Sequence, residues 1–311
     1  MGRYTLSRLA QLLPVLWLIS LIIFVVMHAL PGDPAELMLA GAEGGAITPE
    51  RLAELRAAMG LDDPLVVQYL RFLSRAVVGD LGESLRFRIP VNELILDRFA
   101  STLGLALCGL LIAIAIGLPL GMLAAMRQNS WIDALSMASA YVGASMPVYW
   151  LGLLLILFFS FTLQWFPPAG AEDWTALVLP SATLGFVAAG LISRLVRSSM
   201  IEVLAEDYIR TGRAKGLTES LVLWRHGLKN ALIPVITMVG LQFGGMLAGA
   251  VVTETVFSRP GVGRLVVNAI LAKDYPLVQG CVLFLAVVYL SVNLVVDLAY
   301  AWLDPRIRYR A

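Results

Sequence analysis

The side chains best suited to chemistry lie in one charged segment, residues 201–234, next to runs of residues that carry no charge. Arginine, lysine, glutamate and tryptophan side chains on a helix can recognise another protein surface. So polar a segment is unusual in a chain that is 59% hydrophobic and only 14% charged. We therefore predict that this segment contacts another protein.

The sequence lacks the common catalytic motifs. It contains no HExxH zinc pair, no GxSxG motif and no paired carboxylates within its apolar runs, which argues against an intramembrane enzyme. It also has no GxxxxGK[ST] phosphate loop and no Gly-Lys dipeptide, so this chain is not expected to bind ATP or another cofactor itself. Cys108 and Cys281 fall within apolar runs and predict neither a disulfide nor a metal site.

The composition indicates that lipid surrounds most of the chain. Its mean hydropathy is +0.81, and a membrane-spanning helix needs about 20 apolar residues. Six runs of roughly that length predict six transmembrane helices, at residues 9–30, 100–126, 134–163, 175–193, 231–253 and 276–296. The second and third runs are long enough to tilt or to include re-entrant turns.

The first run could instead be a signal peptide, because Arg3 and Arg8 precede it. Its length, the lack of a small-x-small cleavage site and the turn-like sequence from Pro31 to Pro34 favour a transmembrane helix.

The charge of the short loops predicts the orientation of the chain in the membrane. The loop 194–230 carries seven basic residues against four acids, and the tail adds three arginines, so we predict that both termini are cytoplasmic.

The long segment after the first span contains two helix patterns. Thr48 and Pro49 read as N-cap and first turn of a helix that Gly60 ends. Asp63 and Pro64 open a second apolar pattern that ends near Gly79. Two amphipathic helices beside a membrane could lie on the lipid headgroups, or they could form an extracytoplasmic platform for a partner protein.

Within the charged segment, Gly216 is a candidate hinge, Thr218 a candidate N-cap and Glu219 a favourable acid in the first turn of a helix. The helix is predicted to begin near Leu217, with one apolar stripe and Arg225 on another face. The stripe could pack on the chain's own helix ends, or it could lie in a groove of another subunit. The predicted stripe is Leu217, Leu221, Trp224 and Leu228.

Several sequence motifs resemble those of a known protein family. The runs DYIRTGRAKGL and RHGLKNALIPVIT, at residues 207–217 and 225–237, resemble the cytoplasmic EAA-type loop of ABC importer permeases of the dipeptide/oligopeptide/nickel family. HALPGDP, MGLDDPLVVQYLRFL, GDLGESL, SMPVYWLG, VFSRPGVGRL, DYPLVQG and LDPRIRY resemble that family in the same order along nearly the whole chain. Within the family the chain is similar to the first, B-type permease subunit. Gly212 departs from the usual alanine.

The resemblance implies an all-α polytopic membrane protein with the six transmembrane helices of the type I ABC importer (MetI-like) fold and a helical extracytoplasmic insertion between the first two spans. The implied regions are a stub with the first helix at 1–30, the insertion at 31–98, the core at 99–303 with a coupling loop at 198–230, and a cytoplasmic tail at 304–311. The implied location is the bacterial inner membrane.

The resemblance also implies the partners. They are a homologous C-type permease, two cytoplasmic ATPases that hold ATP and Mg, an extracytoplasmic solute-binding protein and the lipid bilayer, with no nucleic acid. The mechanism would be alternating access driven by ATP binding on the separate ATPase chains. The chain itself would be non-catalytic.

Candidate site residues follow in two sets. The predicted contact with the ATPase comprises Gly216, Thr218, Glu219, Leu221, Trp224 and Arg225. Polar groups on membrane-spanning helices usually point inward, towards the centre of the bundle. The predicted translocation pathway therefore includes Ser145, Met146, Gln242, Gly245 and Asn293. Glycines at such positions often permit close helix packing instead. Glu254 lies near the end of a predicted span, where a carboxylate can reach water or a helix terminus, and we expect it to have a structural role.

The substrate is open at this level. Short peptides of the dipeptide, oligopeptide or glutathione type are favoured, and nickel or a metal chelate is the alternative within the family. A free metal would require His, Cys or carboxylate ligands near the path, which the sequence lacks. Outside the family, a stand-alone secondary transporter would need ionisable groups at the span centres, and the predicted spans offer almost none.

Overall fold

The computed structural model describes residues 2–29, 33–36, 39 and 48–303. The predicted turn at Pro31 and Gly32 and the predicted tail at 304–311 lie outside these residues. Almost all of the described chain is helical. The elements are α1 (Gly2–Ala29), α2 (Pro49–Met59), α3 (Leu65–Val77), α4 (Val91–Met126), α5 (Trp131–Ser145), α6 (Val148–Leu155), the π-helix π1 (Ile156–Thr162), α7 (Thr175–Leu204), α8 (Asp207–Ala214), α9 (Glu219–Leu221), the π-helix π2 (Val222–Leu228), α10 (Lys229–Val256), α11 (Val262–Leu271) and α12 (Tyr275–Leu303).

The described helices confirm the prediction of several membrane spans. Five are long and apolar enough to cross a bilayer, and a sixth span results if α5 and α6–π1 cross as one bent unit. The bend between them is 106°. It falls at Met146 and Pro147, where proline cannot donate to the preceding turn and disfavours helical backbone in the residue before it. The third predicted span is therefore broken.

The chain divides into two compact units, residues 102–259 with 291–303, and residues 2–101 with 260–290. The first unit is organised around α7, whose small side chains let its neighbours approach closely. A Cβ at Gly190 would lie 2.3 Å from the Ala140 carbonyl oxygen of α5, and one at Gly117 of α4 would lie 2.8 Å from the Ala189 carbonyl oxygen. These crossings have no room for a larger residue.

The second unit has its own apolar core. Met27, Val91, Ile95, Leu265 and Val278, from four different helices, are all almost fully buried in one cluster. An apolar core of this kind is stabilised by burial at about 25 cal/mol per Å² of apolar surface. The ends of α1 and α4 are thereby fixed against α11 and α12.

A buried carboxylate fastens a loop to this core. Asp274 precedes α12, and its carboxylate accepts hydrogen bonds from the Ser84 hydroxyl at 2.5 Å and from the Leu277 backbone N–H at 3.3 Å. The same carboxylate accepts from the backbone N–H groups of Leu85 and Arg86, each at 3.2 Å. Asp274 therefore caps α12 and holds the loop at the same time.

The two helices predicted after the first span are confirmed. The Thr48 hydroxyl accepts a hydrogen bond from the Arg51 N–H at 3.4 Å, and α2 ends at Gly60 with a φ of 66°. Helix α3 follows Pro64, and the chain turns after it at Gly79 with a φ of 81°. Local capping signals determine both helices.

Glu254 lies near the end of a span, as predicted, but its carboxylate is buried and does not reach water. Its side chain is 0% exposed, and its carboxylate accepts a hydrogen bond from the Thr102 hydroxyl at 2.6 Å. The helix α10 continues to Val256, so Glu254 lies within the last turns and faces α4 rather than water. A partner hydroxyl from another helix could not be found from the local sequence.

Candidate functional site

The charged segment begins with α8, whose C-terminal end forms a tight turn. The Leu217 N–H donates to the Gly212 carbonyl at 3.3 Å, and the Gly216 N–H donates to the Arg213 carbonyl at 3.0 Å. Gly216 has a φ of 79°, a left-handed conformation that favours glycine. This is the Schellman pattern of helix termination. Gly216, the predicted hinge residue, is therefore the residue at which α8 terminates.

An ion pair spans this turn. The Arg213 Nε and Nη2 atoms donate to the two carboxylate oxygens of Glu219 at 3.1 and 2.7 Å. The hydrogen bonds that Arg213 donates to this carboxylate raise the pKa of Arg213. Thr218 occupies the predicted N-cap position with extended backbone, but its hydroxyl makes no capping hydrogen bond. The Arg213–Glu219 ion pair therefore stabilises this turn, whereas the Thr218 side chain does not cap the helix that follows.

The helix after Thr218 differs from the prediction. It does not form a separate short helix, because α9, π2 and α10 run together as one apolar helix from Glu219 to Val256. In π2 the hydrogen bonds connect residues five apart, which changes the rotation per residue. The apolar stripe predicted at four- and three-residue spacing is therefore wrong: Leu228 is buried and Leu217 half-buried, whereas Leu221 and Trp224 are exposed.

The buried side of π2 is formed by other residues. Val222, Leu223, Gly227 and Leu228 are buried, and π2 packs on α8 and on the end of α7. Ile209 of α8 is almost fully buried as well. The Asn230 side-chain N–H donates to the Tyr208 hydroxyl at 2.8 Å, which joins α8 to the start of α10. The segment 205–230 is thus attached to the unit by one apolar side.

The other side of the segment 205–230 exposes a large aromatic ring next to charged side chains. Trp224 is 61% exposed and Leu221 is 38% exposed. Arg225 and Glu219 are exposed close to them in sequence. An exposed tryptophan rimmed by charged side chains is typical of a protein-binding surface, because the ring supplies apolar area while the rim remains solvated. We call the exposed residues Thr218, Glu219, Leu221, Trp224 and Arg225 the Trp224 surface.

A second ion pair, between α5 and α7, could not be predicted from the sequence. Arg197 of α7 donates from Nε and Nη2 to the two carboxylate oxygens of Asp133 at 2.6 and 2.7 Å. Asp133 also accepts from the Asn129 N–H at 3.0 Å. The pair locks the start of α5 to the part of α7 that precedes the segment 205–230. In the sequence, Arg197 is only one of the seven basic residues of the loop 194–230, and a partner 64 residues away leaves no local signal.

The pathway candidates occupy separate helices of the first unit. Ser145 and Met146 lie at the bend between α5 and α6. Gln242 and Gly245 lie on adjacent turns of α10, and a Cβ at Gly245 would meet nothing within 4 Å. Asn293 of α12 has a buried Oδ1 without a hydrogen-bond partner in the described structure. Within the described residues, Gly245 is therefore not at a close helix crossing, and the Asn293 Oδ1 has no hydrogen-bond donor.

Arg259 is a further buried polar group that the sequence did not single out. Its side chain is 8% exposed, and its Nε and Nη1 atoms have no hydrogen-bond partner within the described residues. Burial lowers the pKa of Arg259, while the negative charge of Glu254 acts in the opposite direction. Groups of three or more metal-ligating side chains are not found in the described part of the chain.

Comparisons with known proteins place the chain in a family. Residues 117–309 match the binding-protein-dependent transport system inner membrane component, and residues 1–106 match the N-terminal region of such membrane components. The chain is 45% identical over 310 residues to the glutathione transport system permease protein GsiC of Salmonella paratyphi A, with 100% of both chains covered. The protein of the same name from Escherichia coli (strain K12) is also 45% identical over 310 residues.

Solved structures agree on the fold. An inward-facing MetNI methionine ABC transporter matches with a TM-score of 0.59 at 18% identity, covering 68% of this chain and 96% of that one. An amino acid ABC transporter matches with a TM-score of 0.51 at 15% identity, covering 69% and 94%. The fold expected from the resemblance is confirmed. The chain belongs to the family of binding-protein-dependent transport system inner membrane components, and it is a permease subunit of an ABC importer.

Proposed function

We propose that this permease moves short peptides of the glutathione type into the cell by alternating access. The observation that carries the proposal is the 45% identity to glutathione permeases over the full length of both chains. Among the substrates that the sequence left open, this likeness favours glutathione over a nickel chelate. Free metal is disfavoured on chemical grounds, because a metal path needs convergent His, Cys or carboxylate ligands.

The proposed assembly contains four further chains. They are a homologous C-type permease, two ATPases that bind ATP and Mg, and a solute-binding protein outside the cell. This chain supplies no catalytic residue. We place both termini and the segment 205–230 in the cytoplasm, because the loop 194–230 has the largest excess of basic residues among the short loops. The regions 1–30, 31–98, 99–303 and 304–311 then serve as stub and first helix, outer segment, core and cytoplasmic tail.

The Trp224 surface and Gly216 form the proposed contact with an ATPase. One helix runs from Glu219 to Val256, so a displacement of the Trp224 surface moves the membrane-spanning part of α10 directly. The attached side of π2 transmits the same displacement to α7 and α8. A rigid connection of this kind couples a nucleotide-driven movement to the helices around the path.

The proposed path includes Ser145, Met146, Gln242, Gly245 and Asn293. Peptides present backbone amides and charged termini, and these need hydrogen-bond partners when they leave water. The unpaired Oδ1 of Asn293 can accept such a bond, and the open space beside Gly245 leaves room for a ligand. The bend at Met146 supplies a non-helical backbone within the span region.

Transport by the complete assembly in proteoliposomes tests the substrate. We expect uptake of radiolabelled glutathione that requires ATP on the side of the ATPases and the cognate binding protein. Calorimetry on the binding protein with glutathione and with a nickel chelate gives an independent result. Uptake by this chain alone under an ion gradient, or capture of only the nickel chelate, would overturn the proposal.

A charge swap tests the role of Glu219 in the contact. Arg213→Glu or Glu219→Arg alone breaks the ion pair, and the double variant Arg213→Glu with Glu219→Arg restores opposite charges. If Glu219 contacts the ATPase, the double variant regains an ordered turn by hydrogen exchange but stays defective in uptake. Full recovery of uptake would mean that Glu219 acts only on the turn.

A further inference from the structure

Helix α3 is strongly two-sided. Leu65, Val66, Leu70 and Val77 lie on one side of the helix, and Gln68, Arg71 and Arg75 lie on the other. All residues of this helix are described, and none of them is buried. Val66 is 69% exposed and Val77 is 80% exposed. Among the described residues, the apolar side is therefore without a protein partner over most of its length.

Contacts with α1 fix the direction in which α3 faces. The Tyr69 hydroxyl lies 2.9 Å from the Ser20 hydroxyl, while the Gln68 Oε1 lies 3.2 Å from the His28 Nε2. Ser20 is about 12 Å nearer to the middle of α1 than His28 is, at 1.5 Å per residue. Tyr69 therefore extends along α1 towards its centre, and Gln68 stays near its end. The side of α3 that carries Tyr69 and its neighbour Val66 therefore faces towards the middle of α1.

The aromatic packing supports this orientation. The Phe24 ring of α1 lies 5.3 Å from the Tyr69 ring and 6.5 Å from the Phe72 ring, measured between centroids. These rings hold α3 at the end of α1 through its apolar side. Val66 and Val77, on the rest of that apolar side, remain largely exposed.

A groove between the two helices continues into the lipid-facing surface of α1. It has a volume of about 410 Å³ and is lined almost entirely by apolar side chains, among them Leu21, Val25, Leu65 and Val66. Helix α1 qualifies as a membrane span, and its Ile22 and Val25 are more than half exposed. The groove is thus open to the surface that acyl chains cover.

The polar side of α3 suits the headgroup region. Arg71 pairs with Asp63 at 2.5 Å, and Arg75 is exposed. Long basic side chains beside an apolar face are the pattern of helices that lie in the membrane interface, with the apolar face about 5–10 Å into the headgroup and acyl boundary. A platform for a soluble protein would instead present its apolar area away from the bilayer.

We propose that α3 lies in the interface of the outer leaflet, and that the groove between α1 and α3 holds a phospholipid acyl chain. The choice of the outer leaflet rests on the membrane orientation proposed above, whereas the lipid contact itself does not depend on that orientation or on which solute the importer carries. The lipid would brace α3 against α1 on the side that protein leaves uncovered. The amphipathic pattern allowed either a helix on the lipid headgroups or a platform for a partner protein, and this proposal favours the lipid contact.

Fluorescence quenching by brominated lipid tests the proposal. The complete assembly is placed in nanodiscs of phosphatidylcholine, with or without bromine near the headgroup end of one acyl chain. Bimane is attached at Val66→Cys, Val77→Cys or Arg75→Cys. Arg75 is the matched control, because it lies on the same helix half a rotation away from Val66. The assembly without an added cysteine gives the background, since Cys108 is half-buried and Cys281 is buried.

We expect bromine to quench bimane at Val66→Cys and Val77→Cys at least about twofold more than at Arg75→Cys, because only the apolar face enters the acyl boundary. Equal quenching at the three positions, or none, would overturn the proposal. A second measurement adds the binding protein. If that protein shields the Val66→Cys label, and brominated lipid has no effect, the helix is a protein platform and the lipid assignment is wrong.

Discussion

Two segments outside the long helices expose apolar side chains, and they do so in different ways. In the segment 205–230 a single tryptophan stands among charged residues, and the opposite side is buried on the unit's own helices. In the segment 48–90 a whole helix face is apolar and α3 buries no residue. An isolated aromatic residue with a charged rim suits a protein contact, whereas a continuous apolar face beside a span suits lipid.

The two segments are also held by different kinds of bond. The turn of the segment 205–230 is closed by Arg213 and Glu219, which are exposed and six residues apart. The segment 48–90 ends in a loop whose main attachment is the buried Asp274, which is 190 residues from Ser84. The first attachment can adapt to a moving partner, because a surface ion pair contributes at most about 1 kcal/mol. The second is more costly to break.

Removal of the Asp274 carboxylate should have the largest effect. Asp274→Ala leaves the buried Ser84 hydroxyl and three backbone N–H groups, those of Leu85, Arg86 and Leu277, without their acceptor. Since hydrogen bonds to a charged group contribute about 1.5–3 kcal/mol, we expect a loss of roughly 3 kcal/mol in the stability of the loop. Hydrogen exchange at residues 82–91 of the purified assembly would measure it as faster exchange.

Asp80→Ala is the matched control for this variant. Asp80 is exposed and accepts one hydrogen bond, from the Gly82 N–H at 2.9 Å. Its removal should change exchange in the same loop only slightly. If both variants behave alike, the contrast between a buried attachment and a surface attachment is not supported.

Truncation of the exposed tryptophan should have the next largest effect. We expect Trp224→Ala to weaken the contact with the ATPase by about 2 kcal/mol, because a central aromatic residue often dominates an interface. Uptake should fall by more than tenfold while the ATPase keeps hydrolysing ATP. The measurement is the ratio of solute moved to ATP hydrolysed in proteoliposomes.

Trp174→Ala is its control, because Trp174 is also a largely exposed tryptophan of the same unit but lies outside the segment 205–230. We expect normal coupling from this variant. An equal loss in both variants would show that exposed tryptophans act through general stability, and the assignment of the Trp224 surface would fail.

Features with a local cause could be predicted from the sequence, whereas features that depend on distant residues could not. Local signals were sufficient where the cause is local: Thr48 and Gly60 bound α2 as predicted. Gly216, predicted as a hinge, has the left-handed backbone that ends α8. The stripe on the loop helix failed because π2 does not keep the period that the prediction assumed. Asp133–Arg197 and Ser84–Asp274 could not be predicted, since only the tertiary structure brings residues 64 and 190 positions apart together.

A smaller effect is expected at the turn that ends α8. Gly216→Ala puts a side chain on a residue with a φ of 79°, although a Cβ there would meet nothing within 4 Å. The cost is therefore conformational, about 1 kcal/mol. We expect faster hydrogen exchange at residues 212–219 and only a modest decrease in uptake. An unchanged exchange rate would show that the turn is already open in the assembly.

The smallest effect should have the opposite sign. Gly212 lies within α8, where the resemblance leads us to expect alanine. A Cβ at this position would lie 3.5 Å from the Leu217 Cδ1 and 4.0 Å from the Val222 Cγ2, which is ordinary van der Waals contact. Gly212→Ala should therefore stabilise α8 by up to about 1 kcal/mol, because glycine is a poor helix former.

The Gly212→Ala variant separates stiffness from contact in the segment 205–230. It leaves the Trp224 surface unchanged and slows hydrogen exchange in α8, where Gly216→Ala accelerates it. If coupling depends on a stiff connection from α8 to π2, the ratio of solute moved to ATP hydrolysed should rise slightly in Gly212→Ala. If the ratio falls although exchange slows, then flexibility at Gly212 is itself needed, and the segment 205–230 works as a compliant joint rather than as a rigid one.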